Sequence, residues 1–143
     1  MGKHFGLAMK AVSQVGDHHS ALDLLEKMNG LSIQPNLATY TAAMVACERS
    51  GNFSEAIDLF DSHAGKNSDH ACFTVYLRCL GRSEPYQAVI EALKSAEPIA
   101  LRTHPYCISA VLSCLSRQNE WRAAIRFMKS IPQEHLNGVC WGA

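Results

Sequence analysis

Two landmarks recur along this chain with a period close to 35 residues. Bulky side chains open amphipathic stripes at Phe5, Tyr40, Phe73, Ile108 and Trp141, in steps of 35, 33, 35 and 33. A second set, Ala21, Ala56, Val89 and Ala124, steps by 35, 33 and 35. Two independent landmarks keeping one cadence restrict the fold to tandem units that stack on their neighbours.

The stretch 33–60 shows what one unit contains. Pro35 and Asn36 interrupt whatever precedes them. Tyr40, Ala43, Met44 and Cys47 then follow i, i+3, i+4, i+7 spacing, the pattern of an amphipathic helix. Gly51-Asn52 breaks it, and Phe53, Ala56, Ile57, Leu59 and Phe60 form a second stripe. Ser54 or Asn52 is positioned to cap that second helix. So short a turn makes the two helices an antiparallel hairpin.

Copies follow at the period. One copy has Phe5, Ala8, Met9 and Val12, then Gly16-Asp17, then Ala21, Leu22, Leu24 and Leu25. Another has Phe73, Tyr76, Leu77 and Leu80, then Glu84-Pro85-Tyr86, then Val89, Ile90 and Leu93. A last has Ile108, Val111, Leu112 and Leu115, then Asn119-Glu120-Trp121, then Ala124, Ile125, Phe127 and Met128. The units are 2–36, 37–69, 70–104 and 105–137, with a fifth opening at 138–143. Trp141 does not suit the polar cap of a terminal repeat, so the chain is expected to be a segment of a longer array. The expected fold is all-α: a right-handed α-solenoid of about four helix–turn–helix repeats and about eight helices.

Composition excludes several classes. Apolar residues are 48% and charged residues 18%, a globular balance. No apolar run approaches the roughly 18 residues that cross a bilayer, so membrane insertion is not expected. The first residues lack a secretory signal's charged head and apolar stretch. They also lack a clear transit peptide, because Arg is absent before Arg49. Thirteen basic side chains balance 13 acidic ones. That balance argues against strong, independent phosphate binding unless charge is segregated.

The residues at the unit junction resemble a known family. Ile33-Gln34-Pro35-Asn36-Leu37-Ala38-Thr39-Tyr40-Thr41 is similar to the junction between pentatricopeptide repeats. Ser54-Glu55-Ala56-Ile57-Asp58-Leu59-Phe60 is similar to that family's second helix. The resemblance covers nearly the whole chain. It is closest over 16–62 and weakest over 70–100, where the turn reads Ser83-Glu84-Pro85 and Ala92 replaces a bulky residue. Tetratricopeptide repeats have a similar length, but their Trp, Leu-Gly and Tyr pattern is absent from every unit.

The resemblance implies binding of single-stranded RNA in a mitochondrion or chloroplast, with two or three side chains of each unit reading one base. The implied reader pairs are Gly6 with Asn36, Thr41 with Asp69, Thr74 with His104, and Ser109 with Asn137. The implied packing residues are Lys3, Ala38, Ala71 and Tyr106. Gly6 offers no side chain to a base, Thr74 with His104 departs from the usual pairs, and Ala38 and Ala71 give little stacking surface. Weak RNA affinity is therefore expected from this segment alone. The alternative it implies is a protein-binding scaffold in a large organellar assembly such as a mitochondrial ribosome. Other proteins of a ribonucleoprotein complex would then be the partners. Helix capping is the competing role for Thr41, Thr74 and Ser109, and turn formation for Asp69 and Asn137.

The six cysteines fit the repeat frame. Cys72, Cys107 and Cys140 occupy one repeat position, Cys79 and Cys114 another, and no C-x-x-C occurs. Buried, reduced thiols are expected, without metal or cofactor. His18 and His19 fall at a helix start as solvated imidazoles, and Glu55 and Asp58 on a solvated helix face. No nucleophile elbow, phosphate loop or zinc-protease motif is present, so no enzyme activity is expected.

Overall fold

The structure, a computed structural model, describes residues 2–64, 69–96, 101–102 and 104–131; of residues 2–6, 63 and 64 it describes the backbone alone. Among the described residues the chain is all-α, with no strand. Two compact units divide it, Met1–Ser68 and Asp69–Ala143. Each holds two helical hairpins.

In the first unit, α1 spans Gly2–Val15, α2 His18–Gly30, α3 Leu37–Arg49 and α4 Phe53–Leu59, with a π-helical turn over Phe60–Ala64. Helix α1 packs on α2 and α3, and α3 packs on α2 and α4. Met9, Ala21, Leu25, Tyr40, Ala43 and Ala46 form the buried cluster, flanked by Val12, Leu22, Leu24, Ala42 and Leu59. The α3 stripe read from spacing, Tyr40, Ala43, Met44 and Cys47, is buried in full.

In the second unit, α5 spans His70–Ser83, α6 Tyr86–Lys94, α7 Pro105–Arg117 and α8 Trp121–Lys129. Helix α5 packs on α6 and α7, and α7 packs on α6 and α8. Helix α5 buries more than its predicted stripe. Cys72, Val75 and Cys79 join Phe73, Leu77 and Leu80, because the helix is covered by α6 on one side and α7 on another.

The turns repeat with the helices. Gly16 and Gly51 sit at φ +76° and +83°, and Asn119 takes the equivalent place at φ 58°. Each is followed by an amide that closes back on the helix: Asp17 on the Val12 carbonyl at 3.3 Å, Asn52 on Cys47 at 2.8 Å, and Glu120 on Leu115 at 2.9 Å. That is the Schellman stop, which needs a left-handed residue and so favours Gly or Asn. The third hairpin turns differently. Pro85 forces Glu84 into an extended conformation, φ −127° and ψ 163°, and Pro85 brings no capping side chain. Gln118 supplies the missing groups from α7's end. Its Oε1 accepts from the Tyr86 amide at 3.1 Å, and its Nε2 donates to the Gly81 carbonyl at 3.3 Å. In the first unit, Arg49 plays a related part by donating to the Gln14 carbonyl at 2.7 Å.

Some sequence expectations are corrected. Asn52 occupies the N-cap of α4 without capping it by side chain; its Nδ2 lies 3.1 Å from the His18 ring and donates to Ser50 Oγ at 3.0 Å. Ser54 lies exposed inside α4 and is not its cap. His18 is consequently half-buried rather than free in solvent. Glu55 is half-buried too, and its Oε2 is enclosed without a hydrogen-bond partner. In α8 the buried residues are Ala123 and Phe127. Ala124 is half-buried, and Ile125 is 47% exposed. These two, with Trp121, Leu112 and Leu115, line an open cleft of about 440 Å³.

The α5–α7 contact is close enough to exclude a methyl group. A Cβ on Gly81 would lie 2.9 Å from Cys114 Sγ and 3.1 Å from its Cβ. Gly81→Ala gains about 1 kcal/mol of helix propensity but overpacks the seam by roughly 1–3 kcal/mol. A net loss of about 1 kcal/mol is expected in chemical denaturation, and adding Cys114→Ala, which removes the Sγ but keeps the Cβ, should relieve it in part.

Candidate nucleic-acid interface

Of the residues implied as base readers, Asn36 and Thr41 lie at the N-terminal end of α3 in the first unit, and Asp69, Thr74, His104 and Ser109 at those of α5 and α7 in the second. Three of them are the caps of those helices. Asn36 Oδ1 accepts from the Thr39 amide at 2.9 Å and from the Thr39 hydroxyl at 2.8 Å. Asp69 Oδ1 accepts from the Cys72 amide at 2.9 Å. His104 Nδ1 accepts from the Tyr106 amide at 3.2 Å. Each satisfies an amide that the helix itself leaves open. Asp17 caps the second helix α2 in the same manner, through the Ser20 hydroxyl and amide. Those two bonds hold its carboxyl below the usual aspartate range.

The hydroxyl readers look inward to their own helices. Thr41 Oγ1 donates to the Leu37 carbonyl at 2.9 Å, and Thr74 Oγ1 to the His70 carbonyl at 2.6 Å. These bonds run four residues back, so neither hydroxyl caps a helix start. Thr74 also lies 3.7 Å from Cys107 Sγ, within the α5–α7 seam. Thr41, Thr74 and Ser109 are half-buried. Ala38 and Ala71 are exposed, as is Tyr106. Lys3 and Gly6 lie in α1. Asn137, Cys140 and the fifth opening fall outside the described residues.

The structure brings together one group that spacing alone did not. His70, exposed at the start of α5, stacks on His104, with ring centroids 4.3 Å apart and planes 10° apart. Tyr106 stands 5.4 Å from His104 and 5.9 Å from His70. The signal was present in the sequence. Histidines on either side of consecutive unit junctions, 34 residues apart, become neighbours once first helices stand side by side.

Burial first, and then the adjacent His70, hold the His104 imidazole below the usual histidine range. The cap bond agrees, since a proton on Nδ1 would abolish it. A folded state that prefers the neutral ring is favoured above the free value of about 6.5. That advantage is lost as pH falls through the lowered folded value. Asn caps as well without titrating. Acidifying from about pH 7.5 to about pH 5 should therefore lower the denaturation midpoint more for the wild type than for His104→Asn.

The five cysteines Cys47, Cys72, Cys79, Cys107 and Cys114 are buried and form no disulfide. Burial, with Glu55 second, pushes the Cys47 thiol up to about 11. Burial also raises Cys107 and Cys114. Little thiolate exists at neutral pH. Iodoacetamide at that pH should leave all five unmodified in the native chain and label all five in denaturant, as read by peptide mass mapping. Among the described residues, no three His, Cys, Asp or Glu side chains gather as a metal site. No helix there is long and apolar enough to cross a membrane.

Paired helices, repeating turns and caps at a 33–35 residue step define a helical-repeat protein. A family model for the PPR repeat matches residues 38–62. Pentatricopeptide repeat-containing protein At5g65570 of Arabidopsis thaliana is 31% identical over 96 residues, which is 64% of this chain and 13% of that protein. Pentatricopeptide repeat-containing protein At2g39230, mitochondrial, of the same plant is 39% identical over 62 residues, 43% of this chain and 7% of that protein. A third from that plant, At1g14470, is 40% identical over 58 residues, 40% of this chain and 11% of that protein. Residues 38–62 thus match the PPR repeat, and the relatives to which the chain is similar are all named for pentatricopeptide repeats. The chain spans 13% or less of the length of these relatives.

Proposed function

We propose that this chain binds single-stranded RNA along the N-terminal ends of its first helices, within an organellar protein that processes or packages RNA. The observation that carries this reading is that first helices in both units start on side-chain caps, Asn36 in the first unit and Asp69 and His104 in the second. A capping side chain is already fixed, so contact with a base costs it little further rotamer entropy. Thr41 and Thr74 have committed their hydroxyl protons to the backbone. They offer lone pairs, which suit donor groups on a base edge. Charge supports the reading in the second unit. Residues 69–143 hold eight basic against six acidic side chains, whereas residues 1–68 hold five against seven. The overall zero thus conceals a surplus of about two positive charges in the second unit. A mitochondrial or chloroplast location fits the family and the printed name of one relative. No catalytic role is assigned to any residue.

A second reading, a protein-binding scaffold in a ribonucleoprotein particle, draws on the cleft beside α8. Trp121 is 63% exposed there, next to Ile125. Titrating the full chain with short single-stranded RNA at about 50 mM and about 200 mM salt separates the two readings. RNA binding predicts saturable association that weakens several-fold across that range, as released counterions require. No association at the lower salt would sink it and leave the scaffold.

A further inference from the structure

In the second unit the second helices α6 and α8 leave an open groove between them, with a volume of about 250 Å³. Buried Ala123 and Phe127 and half-buried Tyr86 and Ile90 form its floor, and exposed Lys94 and Arg126 stand at its rim. Ser130 lies there too, but its hydroxyl donates to the Phe127 carbonyl at 2.6 Å. Among the described residues no acidic side chain lines the groove. It shares no residue with the cleft that Trp121 lines.

The first unit shows what the repeat itself requires at these positions. Repeat steps of 35 and 33 residues carry His18, where α2 begins, to Tyr86, where α6 begins, and Phe53 of α4 to Trp121 of α8. By the same two steps Ile90 answers to Leu22 and Phe127 to Leu59, apolar in both units. Lys94 answers to Glu26, and Arg126 to Asp58. All four of these charged side chains are exposed. The apolar positions persist while both charges reverse, so stacking of the repeat does not call for cations at the rim. A cation near a helix C-terminus gains from the dipole, but that gain leaves the apolar floor beneath it open.

An apolar floor under two cations fits an apolar side chain flanked by anions. Carboxylates suit the rim, since a guanidinium pairs them bidentately. A nucleobase would instead bring polar edges onto Ile90, Ala123 and Phe127, whose side chains offer no hydrogen bond in return. We propose that the α6–α8 groove docks an acidic segment of a partner protein, which seats one aliphatic or aromatic side chain on Ile90 and Phe127 and sets its carboxylates on Lys94 and Arg126. The site uses second helices, so it goes beyond the RNA-binding reading and stands or falls separately from it.

The test uses the full chain and a fluorescein-labelled peptide with one phenylalanine between runs of aspartate, read by fluorescence anisotropy. The wild type should bind it with a Kd below about 1 mM. Serine in place of the peptide's phenylalanine should weaken binding about ten-fold, and asparagine in place of its aspartates about five-fold or more. Lys94→Glu and Arg126→Glu give these exposed positions the charge sign of the first unit and should each weaken binding about five-fold. Arg122→Glu changes the net charge equally, but Arg122 lies over the Trp121 ring instead, and this variant should bind as the wild type does. Circular dichroism checks that each variant stays helical. A wild type without saturable binding, indifference to the phenylalanine, or an equal loss in Arg122→Glu would overturn the docking site. So would single-stranded RNA that displaces the peptide and itself loses affinity in Arg126→Glu, which would make the groove a phosphate site. A wild type that binds the peptide and no RNA keeps the docking site and removes only the RNA-binding reading.

Discussion

Everything in each unit depends on the seam where one first helix lies against the next. A two-helix hairpin has more apolar surface than it can hide within itself. In the first unit, α1 and α3 close that surface around Met9, Ala43 and Ala46, all fully buried. In the second, α5 and α7 approach until Gly81 and Cys114 touch. Small side chains on these helices are what allow the approach. Larger ones would hold the helices apart and leave the turns unable to reach one another. The bonds from Arg49 to Gln14 and from Gln118 to Gly81 and Tyr86 form only because the seam is tight.

The same seam creates the candidate interface. Helices docked side by side in one register bring their N-termini to one edge. In the second unit, α5 begins at His70 and α7 at Pro105. Side-by-side docking therefore carries His70 to His104 without any dedicated loop. The edge then displays whatever the unit junctions encode. Here that is caps, small residues and three rings.

Much of this was legible in the sequence because it is periodic. The turn glycines and the stripes of α3 and α7 each recur at the repeat step, and each has a local physical cause. What could not be read is non-local. Residue spacing on α5 marks Phe73, Tyr76, Leu77 and Leu80, but Tyr76 is only half-buried, and Val75, off that stripe, is buried. Glu55 falls on the side of α4 that spacing marks as solvated, yet one of its oxygens is enclosed. Asn52 fits a cap by type, but the His18 ring and Ser50 claim its amide group. Of the residues implied by family pattern, Asn36, Asp69 and His104 stand at helix starts, while their bonding partners had to be seen. The committed protons of Thr41 and Thr74 and the stacked face of His104 are facts of packing.

On the proposed function, capping and recognition would draw on the same side chains, and that bears on what the edge would bind. An Asp or Asn cap spends one acceptor on the helix and stays exposed, as Asp69 and Asn36 do. Further acceptor capacity then stands at a fixed place, which suits reading. A histidine cap has only one other ring nitrogen, and in His104 the ring face is covered by His70 as well. The substitution of His for Asp or Asn thus replaces hydrogen-bond capacity with aromatic area at one unit junction. Hydrogen bonds separate bases from one another, whereas aromatic area holds them alike. On the proposed function, the choice of cap residue within one repeat architecture would decide which of the two a given unit provides.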